Sequence, residues 1–89
     1  NEYLRESSDL ASVVQRRLRG MPHPGPNRGV KQAGFVVLNR AFMPAVLVEI
    51  GFGSNPAEGR WMSSPEGQRS LGRSIADAVV EYLAGAVAR

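Results

Sequence analysis

Residues 44–51 read Pro-Ala-Val-Leu-Val-Glu-Ile-Gly, an apolar run with one charge and no polar–apolar alternation. A strand wet on one face alternates, whereas a strand covered on both faces does not. The run therefore predicts a central strand over Ala45–Ile50, with Pro44 in the starting position that strands tolerate. Phe35-Val36-Val37-Leu38 predicts a second strand. Only residues 39–44 join the two, and a parallel crossover needs about a dozen. The pair is thus expected to be antiparallel neighbours, or to share a sheet with something between them. A doubly covered strand needs a neighbour on each edge and helices on each face. The chain offers one neighbour strand and two helices. These residues are then the later part of a larger α/β domain, or a partner chain supplies the rest. The alternative is a two-layer minidomain with open edges.

The first helix is read from Leu10, Val13, Val14 and Leu18, an apolar stripe at helical spacing. Ser7 or Ser8 is its expected cap, Asp9 lies in the first turn, and Gly20 with Pro22 stops it. Glu2-Tyr3-Leu4 could end a preceding strand. Met21 to Gln32 is a loop, punctuated by Pro22, Pro24, Pro26, Gly25 and Gly29. Gly51 to Gly59 is a second turn-rich loop. Ser64-Pro65-Glu66 announces the last helix, running to about Ala86. Leu71, Ile75, Ala78, Val79, Tyr82 and Ala86 form its buried face, and Arg69, Arg73, Asp77 and Glu81 its wet face.

Composition removes whole classes. With 43% hydrophobic and 21% charged residues among 89, the chain is neither a disordered tail nor a coiled coil. No apolar run reaches the roughly 18 residues of a membrane span. Without cysteine there is no disulfide, thiolate ligand or thiol nucleophile. A start at Asn1 reads as a processed or excised chain. The net charge of +3 is unevenly spread: Arg16, Arg17, Arg19, Arg28, Lys31 and Arg40 lie between Leu10 and Val48 with no acid among them. Such a face attracts anionic polymers, or is simply solvated. No aromatic pair or recognition-helix pattern accompanies it, so no nucleic-acid partner is expected.

Glu49 is the residue that needs explaining. It is the single charge of the apolar run, at the C-terminal end where open α/β sheets place their ligands. A carboxylate taken out of water is costly unless paired, metal-bound or protonated. It is either a catalytic carboxylate, an ion-pair partner of Arg28, Arg40 or Arg60, or an exposed strand end. Gly51 and Gly53 after it leave backbone close to whatever sits above.

Pro44 through Asn55 closely resembles the PAVLVE-x-GF-x-SN segment of the zinc-dependent N-acetylmuramoyl-L-alanine amidases (the Amidase_3 family of cell-wall hydrolases). Four further segments resemble that family in order: Ser8-Asp9-Leu10-Ala11, Asn27-Arg28-Gly29-Val30-Lys31, Phe35-Val36-Val37-Leu38, and Gln68 through Tyr82. The resemblance implies an α/β fold with a mixed, mostly parallel sheet flanked by helices. Residues 1–89 would be the C-terminal portion of a single catalytic domain, with no internal boundary. It implies hydrolysis of the amide between N-acetylmuramic acid and L-alanine of the stem peptide, with Glu49 as general base and acid. The partner is peptidoglycan, and the location the periplasm or the cell exterior.

The resemblance also implies zinc, held by two His and one Glu that are expected outside this chain. His23, between two prolines, matches no ligand position and reads as a surface residue. A catalytic zinc takes about three protein ligands, so the chain alone is expected to be catalytically incomplete. The N-terminal part of the same domain, or a complementary chain, would complete it. Arg28, Ser54 and Asn55 are candidate substrate contacts. Ser54 and Asn55 are equally ordinary turn residues, and Arg28 equally a partner for Glu49. Trp61 and Phe42 could stack on sugar or sit in the core. The alternative function is a non-catalytic relative that binds peptidoglycan or regulates its turnover.

Overall fold

A computed structural model describes residues 3–26, 29–30, 38 and 40–88 of the chain, with residues 86–88 as backbone only. Three helices lie among them: α1 (Leu4–Arg19), α2 (Pro56–Ser63) and α3 (Pro65–Ala88).

Helix α1 starts earlier than its serines imply. Tyr3 occupies the N-cap position without a side-chain cap, and its carbonyl accepts from the Ser7 N–H at 2.9 Å. Leu4 therefore opens a helix instead of ending a strand, and Ser7 and Ser8 lie inside it. Ser12 Oγ donates to the Ser8 carbonyl at 3.0 Å, while Ser7 Oγ accepts from the Ala45 N–H at 2.9 Å. Glu6 in the first turn and Arg16, Arg17 and Arg19 in the last complement the helix dipole. Gly20 caps the helix with right-handed dihedrals (φ −80°, ψ −7°). Pro22 prevents continuation because it has no N–H to offer the Leu18 carbonyl, which takes the Met21 N–H instead, at 3.2 Å.

Helix α2 occupies the end of the expected 51–59 loop. Asn55 caps it, its side chain accepting from Ala57 and Glu58 N–H at 3.0 and 3.2 Å, and Pro56 takes the first helical position. Ser64 ends α2 and starts α3 at once. Its Oγ donates to the Trp61 carbonyl at 2.7 Å and accepts from the Gly67 N–H at 3.0 Å. A Cβ at residue 67 would collide with the Trp61 carbonyl, so this corner demands glycine.

Helices α1 and α3 run antiparallel. Met21 meets Ser74, and Arg17 meets Glu81. Val14 from α1 and Leu71 and Ala78 from α3 are the buried apolar residues among those described. Side chains of this kind contribute about 1.5–3 kcal/mol each at most, so the core is small. The radius of gyration, 13.9 Å, exceeds the about 12 Å of a compact domain this long.

The expected mixed, mostly parallel sheet is not what the described residues form: they contain no strand. Residues 44–50 run without a ladder. A strand exists only through hydrogen bonds to a neighbour, and none of the described residues lies beside this run as a strand. Of the other expected strand, Phe35–Leu38, only Leu38 lies among the described residues, and it is helical, so the expectation fails at that residue. The last helix extends to Ala88, slightly past the expected end. Its face is also redrawn: Ile75 and Tyr82 are half-buried, Val79 is exposed, and Glu81 is drawn onto α1.

Candidate functional site

The site is built where the 44–50 run turns toward α2. Glu49 is exposed, not enclosed as its apolar neighbours imply. No ion pair among the described residues involves it. The recorded pairs join Arg16 and Arg17 to Glu81, with Arg17 Nη2 at 2.7 Å and Nε at 3.0 Å from one carboxylate oxygen. Two of the six cations in the basic run are thus spent holding α1 to α3.

The backbone after Glu49 is held from an unexpected direction. His23 Nε2 lies 2.7 Å from the Ile50 carbonyl oxygen. The Gly25 N–H donates to His23 Nδ1 at 2.8 Å. The His23 ring meets Trp61 edge-on, with centroids 4.7 Å apart and planes at 68°. His23 is half-buried, which corrects its reading as a surface residue. Gly51 follows with φ +145°, a conformation that favours glycine. A Cβ there would lie 3.2 Å from Glu58 Oε1 and 3.3 Å from His23 Nε2. A Cβ on Gly25 would strike the same Glu58 oxygen.

Glu58 is the buried carboxylate of the described residues, only 3% exposed. Sequence reading passed over it. Asn55-Pro56-Ala57-Glu58 carries the capping-box spacing, which marks a helix start and a glutamate at its third position. Nothing local says that this glutamate folds in over two glycines. Asn55 spends its side-chain oxygen on the α2 cap, Ser54 is exposed, and Arg28 lies outside the described residues. Trp61 is half-buried against His23, and Phe42 is exposed.

No three His, Asp or Glu side chains among the described residues are grouped to hold a metal ion. Both His23 nitrogens are engaged with backbone. These residues do not fit a resident zinc.

The sequence profile of the N-acetylmuramoyl-L-alanine amidases matches residues 1–81. The chain belongs to that family. Among curated relatives, the segment is 39% identical over 80 residues to N-acetylmuramoyl-L-alanine amidase AmiC of Neisseria meningitidis, covering 90% of this chain and 19% of that protein. It is 32% identical to AmiA of Escherichia coli, covering 90% of this chain and 27% of that protein. Identity to a cell wall amidase of Bacillus anthracis is 35%, covering 92% of this chain and 15% of that protein. The amidase segment thus spans about a quarter or less of the length of these three relatives. No solved structure matches it significantly. No helix of the described residues is long and apolar enough to cross a membrane.

Proposed function

We propose that this chain is part of a peptidoglycan amidase that cleaves the amide between N-acetylmuramic acid and L-alanine, with Glu49 as its proton-transfer carboxylate. The observation that carries the reading is the family match across residues 1–81, which includes the Pro44–Asn55 segment bearing Glu49. An exposed carboxylate near the end of the 44–50 run can reach a bound substrate. It takes a proton from the attacking water as the oxygen adds to the carbonyl carbon. It then delivers a proton to the amide nitrogen as the C–N bond breaks. Ser54, exposed on the same loop, is a candidate substrate contact; Arg28 is one by its place in the family motif alone. The amide NH2 of Asn55 remains available beyond its capping oxygen. The zinc implied by the family belongs to this proposal, with its ligands outside this chain and supplied by the N-terminal part of the same domain or a complementary chain. A peptidoglycan substrate places the protein in the periplasm or outside the cell.

The test is Glu49→Gln in the intact protein. Release of stem peptides from purified peptidoglycan should fall by about 100-fold or more, with bound zinc and the unfolding transition unchanged. Turnover near that of the parent protein would remove Glu49 from the mechanism. A parent protein that binds peptidoglycan without releasing peptides would favour the non-catalytic alternative.

A further inference from the structure

We infer that His23 is a positioning residue for Glu49, clamping the backbone that carries the carboxylate through the Ile50 carbonyl. The inference rests on the proposed role of Glu49. A carbonyl oxygen can only accept, so the 2.7 Å contact places a proton on His23 Nε2. The Gly25 N–H can only donate, so the 2.8 Å contact leaves Nδ1 bare. The competing arrangement, with Nδ1–H donating to the Gly25 carbonyl, is stretched to 3.5 Å. Both short bonds therefore select the same neutral tautomer. The edge-on contact with Trp61 of α2 fixes the plane of the ring.

Two successive residues after Glu49 are thereby immobilised by different means. Ile50 is held by a hydrogen bond from a segment 27 residues upstream. Gly51 is held by shape, between the His23 ring and the Glu58 carboxylate, in a conformation other residues adopt poorly. Glu58 is itself buried against Gly25, on the same loop as His23. Loop 21–26, helix α2 and the end of the Glu49 run thus close on one another through His23. Proton transfer is sensitive to placement: a displacement of about 1 Å can cost roughly 100-fold in rate. His23 touches the carbonyl one residue from Glu49, and it neither ligates metal nor needs to meet substrate.

The experiment compares His23→Ala, His23→Gln and Glu49→Gln in the intact amidase. Loss of the clamp in His23→Ala should lower kcat by about 10- to 100-fold with KM nearly unchanged. His23→Gln, which keeps an N–H donor for the Ile50 carbonyl, should restore most of kcat. In the parent protein, nitrogen chemical shifts of His23 should report a protonated Nε2 and a bare Nδ1. The opposite tautomer, with Nε2 bare, would overturn the clamp even if the alanine variant failed to fold. Inactive Glu49→Gln beside a fully active His23→Ala would sink this inference and leave the role of Glu49 standing. Normal turnover in Glu49→Gln would remove both.

Discussion

Gly51 shows how much one residue can decide. Its φ of +145° lies where side chains are strained, and the space a Cβ would fill is already bounded by Glu58, His23 and Met62. Gly51→Ala should therefore destabilise the protein by about 1–3 kcal/mol, read as a shift of the denaturant midpoint. It should also displace Ile50 from His23. An alanine variant as stable as the parent would mean that this turn is not held as described. Glu58 poses the opposite case, a charged group kept from water by two glycines that leave it room. Its identity was visible in the sequence and its burial was not, because burial depends on Gly25 and Gly51, which arrive from other parts of the chain.

At the scale of elements, the helices are set by short-range rules. Asn55 satisfies two N–H groups at the start of α2, and Asn55→Ala should cost about 1 kcal/mol, with Asn55→Asp close to neutral. Helical content and the midpoint of unfolding measure this together. Ser64 performs the same service for α3, and its Ser-Pro-Glu signature was readable in advance. The same reading of Asn-Pro-x-Glu would have found α2, where glycine-rich neighbours masked the signal. The pairing of α1 with α3 is different in kind. Glu81 sits among residues spaced for a wet face, yet its carboxylate takes two guanidinium groups from α1. The pair is about one-third exposed on the glutamate side. Glu81→Gln should thus cost only about 0.5–1 kcal/mol, and the difference should shrink in high salt. A cost independent of salt would assign the loss to packing.

For the whole molecule, the notable quantity is the apolar surface left uncovered. Phe42 is 84% exposed and Met43 63%, with Leu47, Ile50 and Phe52 following on the same stretch. Val80 and Leu83 do likewise on α3. Scattered apolar residues are ordinary, but runs of this kind mark surfaces that associate. The isolated 89-residue chain is expected to bind a hydrophobic dye or self-associate, by fluorescence and by sedimentation. A monomer that unfolds cooperatively without binding dye would show that these 89 residues suffice.

The sequence by itself settled what depends on neighbours a few residues away: where α3 begins, that Gly20 and Pro22 end α1, and which motif carries Glu49. Those outcomes follow from bonds between residues three or four apart, which any isolated segment can make. Tertiary structure alone decided that residues 44–50 run without a ladder, that His23 turns inward to Ile50, and that Glu58 rather than Glu49 is the carboxylate withdrawn from water. Each of these turns on whether a distant stretch of chain arrives as a partner, and pairing at that range is written in no local pattern.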